Sequence, residues 1–350
     1  MKTYLKPIIY QEISKHNDFK EFIIKGNYSS VIVLVDKNTK KYCLPHIKEC
    51  FGEHTVHVIP SGEENKTISS CVEVWGKLTD ANIDRKAVIV NLGGGVICDM
   101  GGFIASIYKR GIDFINIPTT LLAMCDACLG GKSAVNLNGF KNQIGVFNNP
   151  KSIFINVNFL KTLPEKQIIS GFAEVIKHSL IGNIRFFNEL YNGFDLKNDI
   201  EYLIARSLKI KSRIVNLDLH EKGVRKSLNF GHSIGHALES FSLMNHSQSP
   251  IYHGEAIAVG IIAESWISMK RKYLNAEELN KICILILRLY PKIKIEKADF
   301  TKIIENVSKD KKNEHNFNLF TLLNGIGQFR INEKVSKQEI IQSLEYYISL

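Results

Sequence analysis

The chain has 350 residues, 45% hydrophobic and 23% charged, a composition that suits a soluble globular protein with length for two domains of ordinary size. No apolar run approaches the roughly 18 to 20 residues that span a bilayer, and no signal-peptide core with a small-residue cleavage site follows Met1, so no membrane partner and a cytoplasmic address are expected. The formal net charge of +10 favours anionic partners, but the lysines are spread out and no nucleic-acid module is readable, so the expected partner is an anionic small molecule rather than nucleic acid.

In chain order, residues 31–36, 54–59, 87–92 and 113–117 read as strands, with a helix over 66–78 between two of them. Alternation of this kind predicts a mainly parallel sheet covered by helices, an α/β nucleotide-binding domain of the Rossmann-like kind. The third strand runs into Gly93-Gly94-Gly95 and then an apolar stretch of helical length ending near Tyr108. Strand, glycines and helix in that order let backbone N–H groups approach a phosphate, which makes the turn a nucleotide-site candidate. No GxGxxG is readable there, and a tight turn packing one helix on the sheet is the plainer alternative.

From about residue 163 the pattern changes to helices, over 165–180, 199–217, 225–241, 254–269 and 276–289. Segments 317–323 and 328–331 read as a late hairpin. The boundary falls near 156–163, giving a domain over 1–158 and a mainly α-helical one over 159–350. The seven cysteines, odd in number and mostly single within apolar runs, predict buried thiols rather than disulfides, including Cys125 and Cys128 of the lone CxxC.

The helical half also carries the chemistry most legible in the chain. Three separated segments, AEVIK from Ala173, GHSIGHALE from Gly231 and HGE from His253, supply a carboxylate and several imidazoles. One divalent ion gathered by a Glu/His/His set keeps an open position for substrate, as a catalytic site requires. Taken singly, each residue reads as an ordinary core or surface group. His232 and His236, four apart on one helix face, are also spaced as a two-histidine clamp, which leaves the ligand set open at this point. With the glycine turn in the first half and these donors in the second, substrate is expected in the cleft between the domains.

Several long motifs in order, LGGGVICDMGGFIASIYKRG, IPTTLL, DACLGGKSAVN, GFKNQIGVF, KTLP, GFAEVIKHSL, EKGVRKSLNFGHSIGHALE, HGEAIAVG and DKKNE, resemble the 3-dehydroquinate synthases of the sugar phosphate cyclase superfamily. The resemblance implies an enzyme, a phosphate-eliminating carbon–oxygen lyase of the shikimate pathway that uses NAD and a divalent metal, zinc or cobalt, commonly as a homodimer. Its substrate would be 3-deoxy-D-arabino-heptulosonate 7-phosphate, an anionic sugar phosphate. Hydride would leave carbon five for NAD, phosphate would be eliminated, hydride would return, and an aldol step would close the ring. It also implies the metal ligands Glu174, His232 and His253, with His236 beside the substrate.

For NAD it implies Asp36, Ser61, Gly62, Glu63, Glu64, Asn65, Lys66, Gly95, Val96, Ile97, Cys98, Asp99, Thr119, Thr120, Lys132, Lys141, Phe159, Leu160, Lys161 and Thr162. Asp36 reads equally as a strand-end turn residue, and Glu63 and Glu64 as charges in a helix's first turn. For substrate it implies Arg110, Asp126, Lys132, Asn142, Lys177, Lys211, Arg225, Asn229, His236 and one of Lys311 or Lys312, of which Lys312 is preferred. Lys132, Lys177, Arg225, Asn229 and His236 are the expected catalytic members. A phosphate and a carboxylate on one small molecule call for several cations. The loop 243–252 looks longer than is usual in the family. Competing readings are a cyclase making a valiolone or deoxyinosose, a metal-dependent alcohol or glycerol dehydrogenase, and a noncatalytic NAD- or metal-binding protein.

Overall fold

The computed structural model describes residues 8–10, 16–138, 140–244, 251–308 and 318–350, and falls into two compact units, Met1–Pro164 and Glu165–Leu350. The first unit is built on strands β1 (Ile8–Tyr10), β2 (Val31–Asp36), β3 (Thr55–Ile59), β4 (Val88–Gly93) and β5 (Asp113–Pro118), a hairpin of β6 (Lys132–Leu137) and β7 (Phe140–Phe147), and β8 (Ser152–Phe154). Its helices are α1 (His16–Gly26), α2 (Lys37–Tyr42), α3 (Ile68–Asp80) and α4 (Gly95–Ile107). Six strands form one sheet in the order β1-β8-β5-β4-β2-β3, and every pairing is parallel. All six residues of β4 are buried, as a strand covered on both faces requires, and its Ile89 shares one apolar core with Met100, Phe103 and Ile104 of α4.

The strands expected at 31–36, 54–59, 87–92 and 113–117 appear within a residue or so. The helix expected from Lys66 starts at Ile68, because the Thr67 hydroxyl caps it by accepting from Ser70 N at 3.2 Å. Glu63 and Glu64 therefore sit in a separate 3₁₀ turn, Glu63–Asn65, and not in the first turn of α3. The β6–β7 hairpin and the three-residue β8 were not anticipated.

The second unit contains α5 (Glu165–Gly182), α6 (Ile184–Asn192), α7 (Ile200–Leu217), α8 (His232–Met244), α9 (His253–Lys270), α10 (Ala276–Leu289), α11 (Phe300–Ser308) and α12 (Lys337–Ser349). Strands β9 (Asn318–Leu323) and β10 (Phe329–Val335) pair antiparallel as the late hairpin; residue 317 lies outside the described residues. Helix α9 is buried over almost its whole length, with α5, α8, α10 and α12 packed around it. The continuous helix expected over 225–241 is instead a 3₁₀ segment, Val224–Asn229, an extended Phe230, and α8. Gly231, at φ +77°, breaks the helix, while apolar periodicity persists because Leu228, Phe230 and Ile234 are buried on both sides of the break. Of the loop 243–252, residues 245–250 lie outside the described residues.

All seven cysteines are free and buried, as their spacing suggested, and burial raises the Cys43 and Cys71 thiols to about 12. Among the described residues, no helix is long and apolar enough to cross a membrane.

Candidate active site

Three helices of the second unit converge on Glu174. This carboxylate, on α5, is wholly buried, and neither oxygen accepts a hydrogen bond. Oε1 faces Nε2 of His232, at the start of α8, at 3.4 Å, and Nε2 of His253, at the start of α9, at 3.6 Å. Lys177, one turn further along α5 and also buried, forms an ion pair with Oε2. Burial alone would raise the Glu174 pKa, but Lys177 and then His232 hold it well below the usual carboxylate range.

An ion with tetrahedral bonds of about 2.0–2.2 Å places its ligand atoms roughly 3.3–3.6 Å apart. The two Glu174–histidine separations match that edge, and Oε1, which faces both imidazoles, accepts no hydrogen bond although it is buried. The three donors thus fit a first-row divalent ion. The imidazoles are oriented through their other nitrogens. His232 Nδ1 lies 3.0 Å from the Phe230 carbonyl, which fixes the proton there and leaves Nε2 for Glu174. His253 Nδ1 lies 3.5 Å from Glu239 Oε2, and this carboxylate on α8 was not singled out from the sequence. Burial and then Lys177 lower the His232 pKa; burial also lowers that of His253, but Glu174 and Glu239 prevail and raise it to about 9.

His236 stands 5.0 Å from His232 and 6.0 Å from His253, ring centre to ring centre. Its ring nitrogen groups with Glu239 and His253 rather than with Glu174, so the two histidines of α8 do not clamp one position with that carboxylate. Lys211 is buried on α7. Arg225 is 2% exposed and donates from Nη1 to the Leu219 carbonyl. Asn229 donates to Glu221 Oε1 at 2.9 Å, and Asp218 organises the preceding loop by accepting from the backbone of Lys222, Gly223 and Arg225. Lys311 and Lys312 lie outside the described residues.

In the first unit, the turn between β4 and α4 leaves the helix N-terminus open. Gly94 is the N-cap and brings no side chain, and Gly94, Gly95 and Val96 are partly exposed, so the first-turn amides remain available to an anion. Beside it lies a polar network. Buried Lys66 donates to Asp99 Oδ2 at 2.6 Å and to Asn142 Oδ1 at 2.7 Å, while Asn136 donates to Glu63 Oε1 at 3.0 Å and accepts from Asn142 N at 2.9 Å. The unanticipated hairpin thus joins Glu63, Lys66, Asp99 and Asn142, and it also carries Lys132, exposed, and Lys141. Asn138-Gly139 between two partly alternating runs is the sequence signal for it.

Asp36 lies at the end of β2 and caps α2, accepting from Thr39 N at 2.8 Å. The turn reading of Asp36 holds, and capping engages one of its two oxygens. Ser61, Gly62, Glu64 and Asn65 line the 3₁₀ turn and its approach; Ile97 and Cys98 are buried in the first turns of α4; Thr119 and Thr120 follow β5. Phe159 and Leu160, buried, and Lys161 and Thr162, exposed, close the 3₁₀ segment Val157–Thr162. Asp126 is half-buried in a π-helical turn. Arg110 is not brought to the glycine turn: it is exposed beyond the other end of the 13-residue α4, about 20 Å along the helix.

Family models described as the N-terminal and C-terminal parts of 3-dehydroquinate synthase match residues 56–170 and 171–313. A 3-dehydroquinate synthase from Parabacteroides distasonis is 40% identical over 95% of this chain and 95% of its own length. The chain belongs to the 3-dehydroquinate synthase family. Solved structures agree on the fold. A 2-deoxy-scyllo-inosose synthase complexed with carbaglucose-6-phosphate, NAD+ and Co2+ superposes with a TM-score of 0.83 at 25% identity, covering 97% of this chain and 96% of that one. A 2-epi-5-epi-valiolone synthase from Streptomyces hygroscopicus, with NAD+ and Zn2+ bound, gives 0.84 at 21% identity, covering 100% and 98%.

Proposed function

We propose that this chain converts 3-deoxy-D-arabino-heptulosonate 7-phosphate into 3-dehydroquinate and phosphate, using NAD and one zinc or cobalt ion, as a cytoplasmic homodimer. The observation that carries the reading is Glu174 with two Nε2 atoms at tetrahedral-edge spacing, in a chain of this family. Glu174, His232 and His253 hold the ion; the open amides of α4, Asp36, the 61–66 turn and Lys66 with Asp99 hold NAD. When bound, the ion supplies Lewis-acid polarisation of a substrate oxygen and NAD a reversible hydride acceptor.

The chain's own residues supply charge and orientation. Lys177, Lys211 and Arg225 are cations held inside the helical unit, where low dielectric strengthens their pull on a phosphate or carboxylate. His236, grouped with Glu239 and His253, is assigned to the substrate. Lys132 and Asn142 on the hairpin, with Asp126, complete the proposed substrate set, from which the placement of Arg110 beyond the far end of α4 sets it apart. A dehydrogenase would need fewer such cations, and this family assignment disfavours it.

Substrate choice tests the proposal. Phosphate release is measured with the carboxylated heptulosonate phosphate and with sedoheptulose 7-phosphate and glucose 6-phosphate, which lack the carboxylate. The first is expected to be the preferred substrate by a wide margin. Equal or faster turnover of either other sugar would reassign the chain to another cyclase activity.

A further inference from the structure

The two helices that bring His232 and His253 together meet through glycine. A Cβ on Gly260 of α9 would lie 1.9 Å from the Gly231 carbonyl oxygen, and one on Gly235 of α8 would lie 3.1 Å from the Ala256 carbonyl oxygen. The backbones are therefore in direct contact, and the N-terminus of α8 is pressed against α9. A helix start placed there has first-turn N–H groups that water cannot satisfy, and Gly231 has no side chain to cap them.

Glu264 of α9, 0% exposed, meets that need from the neighbouring helix. Its Oε2 accepts from Gly231 N at 2.6 Å and its Oε1 from Ile234 N at 3.2 Å, on either side of His232. Glu264 lies eleven residues, three turns, after His253, so both face α8 along one stripe of α9. A carboxylate at a helix N-terminus is favoured by the macrodipole as well as by the two hydrogen bonds.

We propose that Glu264 is a positioning residue for the metal centre: by capping α8 from α9 it fixes the turn that carries His232 relative to the helix that carries His253. The two imidazoles are then held at ligand spacing before the ion arrives. This rests on the reading that Glu174, His232 and His253 bind a metal.

The test uses full-length protein with Glu264→Gln, which keeps the shape and one acceptor, and Glu264→Ala. A control, Ile340→Ala, removes buried volume from α12, which packs on α9 remote from the histidines. Zinc affinity is read by competition with a chromophoric chelator and ligand geometry by the visible spectrum of the cobalt form, on protein shown to be folded by circular dichroism. Loss of a group that orients a metal ligand typically weakens binding about 10- to 100-fold, so Glu264→Ala is expected in that range, Glu264→Gln nearer its lower end, both with an altered cobalt spectrum, and the control with wild-type binding. Should Glu264→Ala not fold, Glu264→Gln decides. Wild-type affinity and spectrum in the Glu264 variants overturn the proposal alone. Failure of the wild type to bind an ion, or full affinity in Glu174→Ala, overturns the metal reading and this proposal with it.

Discussion

At the scale of single residues the centre is a set of opposed charges, and its pH behaviour follows from them. His253, held between Glu174 and Glu239, has its pKa raised to about 9, whereas burial and Lys177 lower that of His232. In the metal-free protein the raised value contributes stability that is complete below the unfolded imidazole value of about 6.5 and is lost as pH climbs through about 9. An ion must displace that one proton. Zinc affinity is therefore predicted to rise about tenfold per pH unit between roughly 6.5 and 8.5, with about one proton released per ion, measured by titration calorimetry in buffers of different ionisation enthalpy. PH-independent affinity with no proton released would contradict this assignment. Lys132, exposed on the hairpin, makes a second case. If it meets an anionic end of the substrate, Lys132→Ala lowers kcat/KM by roughly ten- to a hundredfold, the worth of a charged hydrogen bond of about 1.5–3 kcal/mol. Lys25→Ala, at a side chain 77% exposed and paired with Glu21 on its own helix, should leave kcat/KM unchanged within error.

At the scale of elements, glycine separates packing from propensity. Gly76 lies exposed within α3 with nothing within 4 Å of a would-be Cβ, so Gly76→Ala is predicted to raise stability by about 0.5–1 kcal/mol in urea unfolding. Gly260→Ala would drive a methyl into the Gly231 carbonyl and is predicted to cost about 1–3 kcal/mol and to weaken metal binding, since α8 and α9 must separate. A stable Gly260→Ala with full metal affinity would contradict the seam. These elements also mark what could be read beforehand. Strands β2, β4 and β5 announced themselves as apolar runs ended by turn residues. The β6–β7 hairpin did not, because its register shifts between Val135 and Leu137 and its polar members, Asn136 and Asn142, are tied into a hydrogen-bond network with Glu63 and Lys66. The break at Gly231 was masked by periodicity that continues across it. Glu239 and Glu264 were invisible as site members because their effect passes through another residue's nitrogen, a contact that only the packing of α8 on α9 creates.

At the scale of the whole molecule, the fold divides labour between an α/β unit with an open helix N-terminus and a helical unit that buries a carboxylate among imidazoles and cations. The donor types and their order along the chain were legible, as was the family. The distances at Glu174 were not, because they depend on three helices meeting. Hydride that leaves and returns to the same molecule consumes no NAD, and this separates a cyclase from a dehydrogenase of similar architecture. The decisive measurement follows phosphate release and reduced-nicotinamide absorbance together, with the heptulosonate phosphate, catalytic NAD, and zinc or cobalt either present or removed by chelation. The expected result is many phosphates released per NAD with no growth of the NADH band, loss of turnover on chelation, and its recovery when either ion is restored. Accumulation of NADH in step with product, or undiminished phosphate release from protein shown to be metal-free, would contradict it.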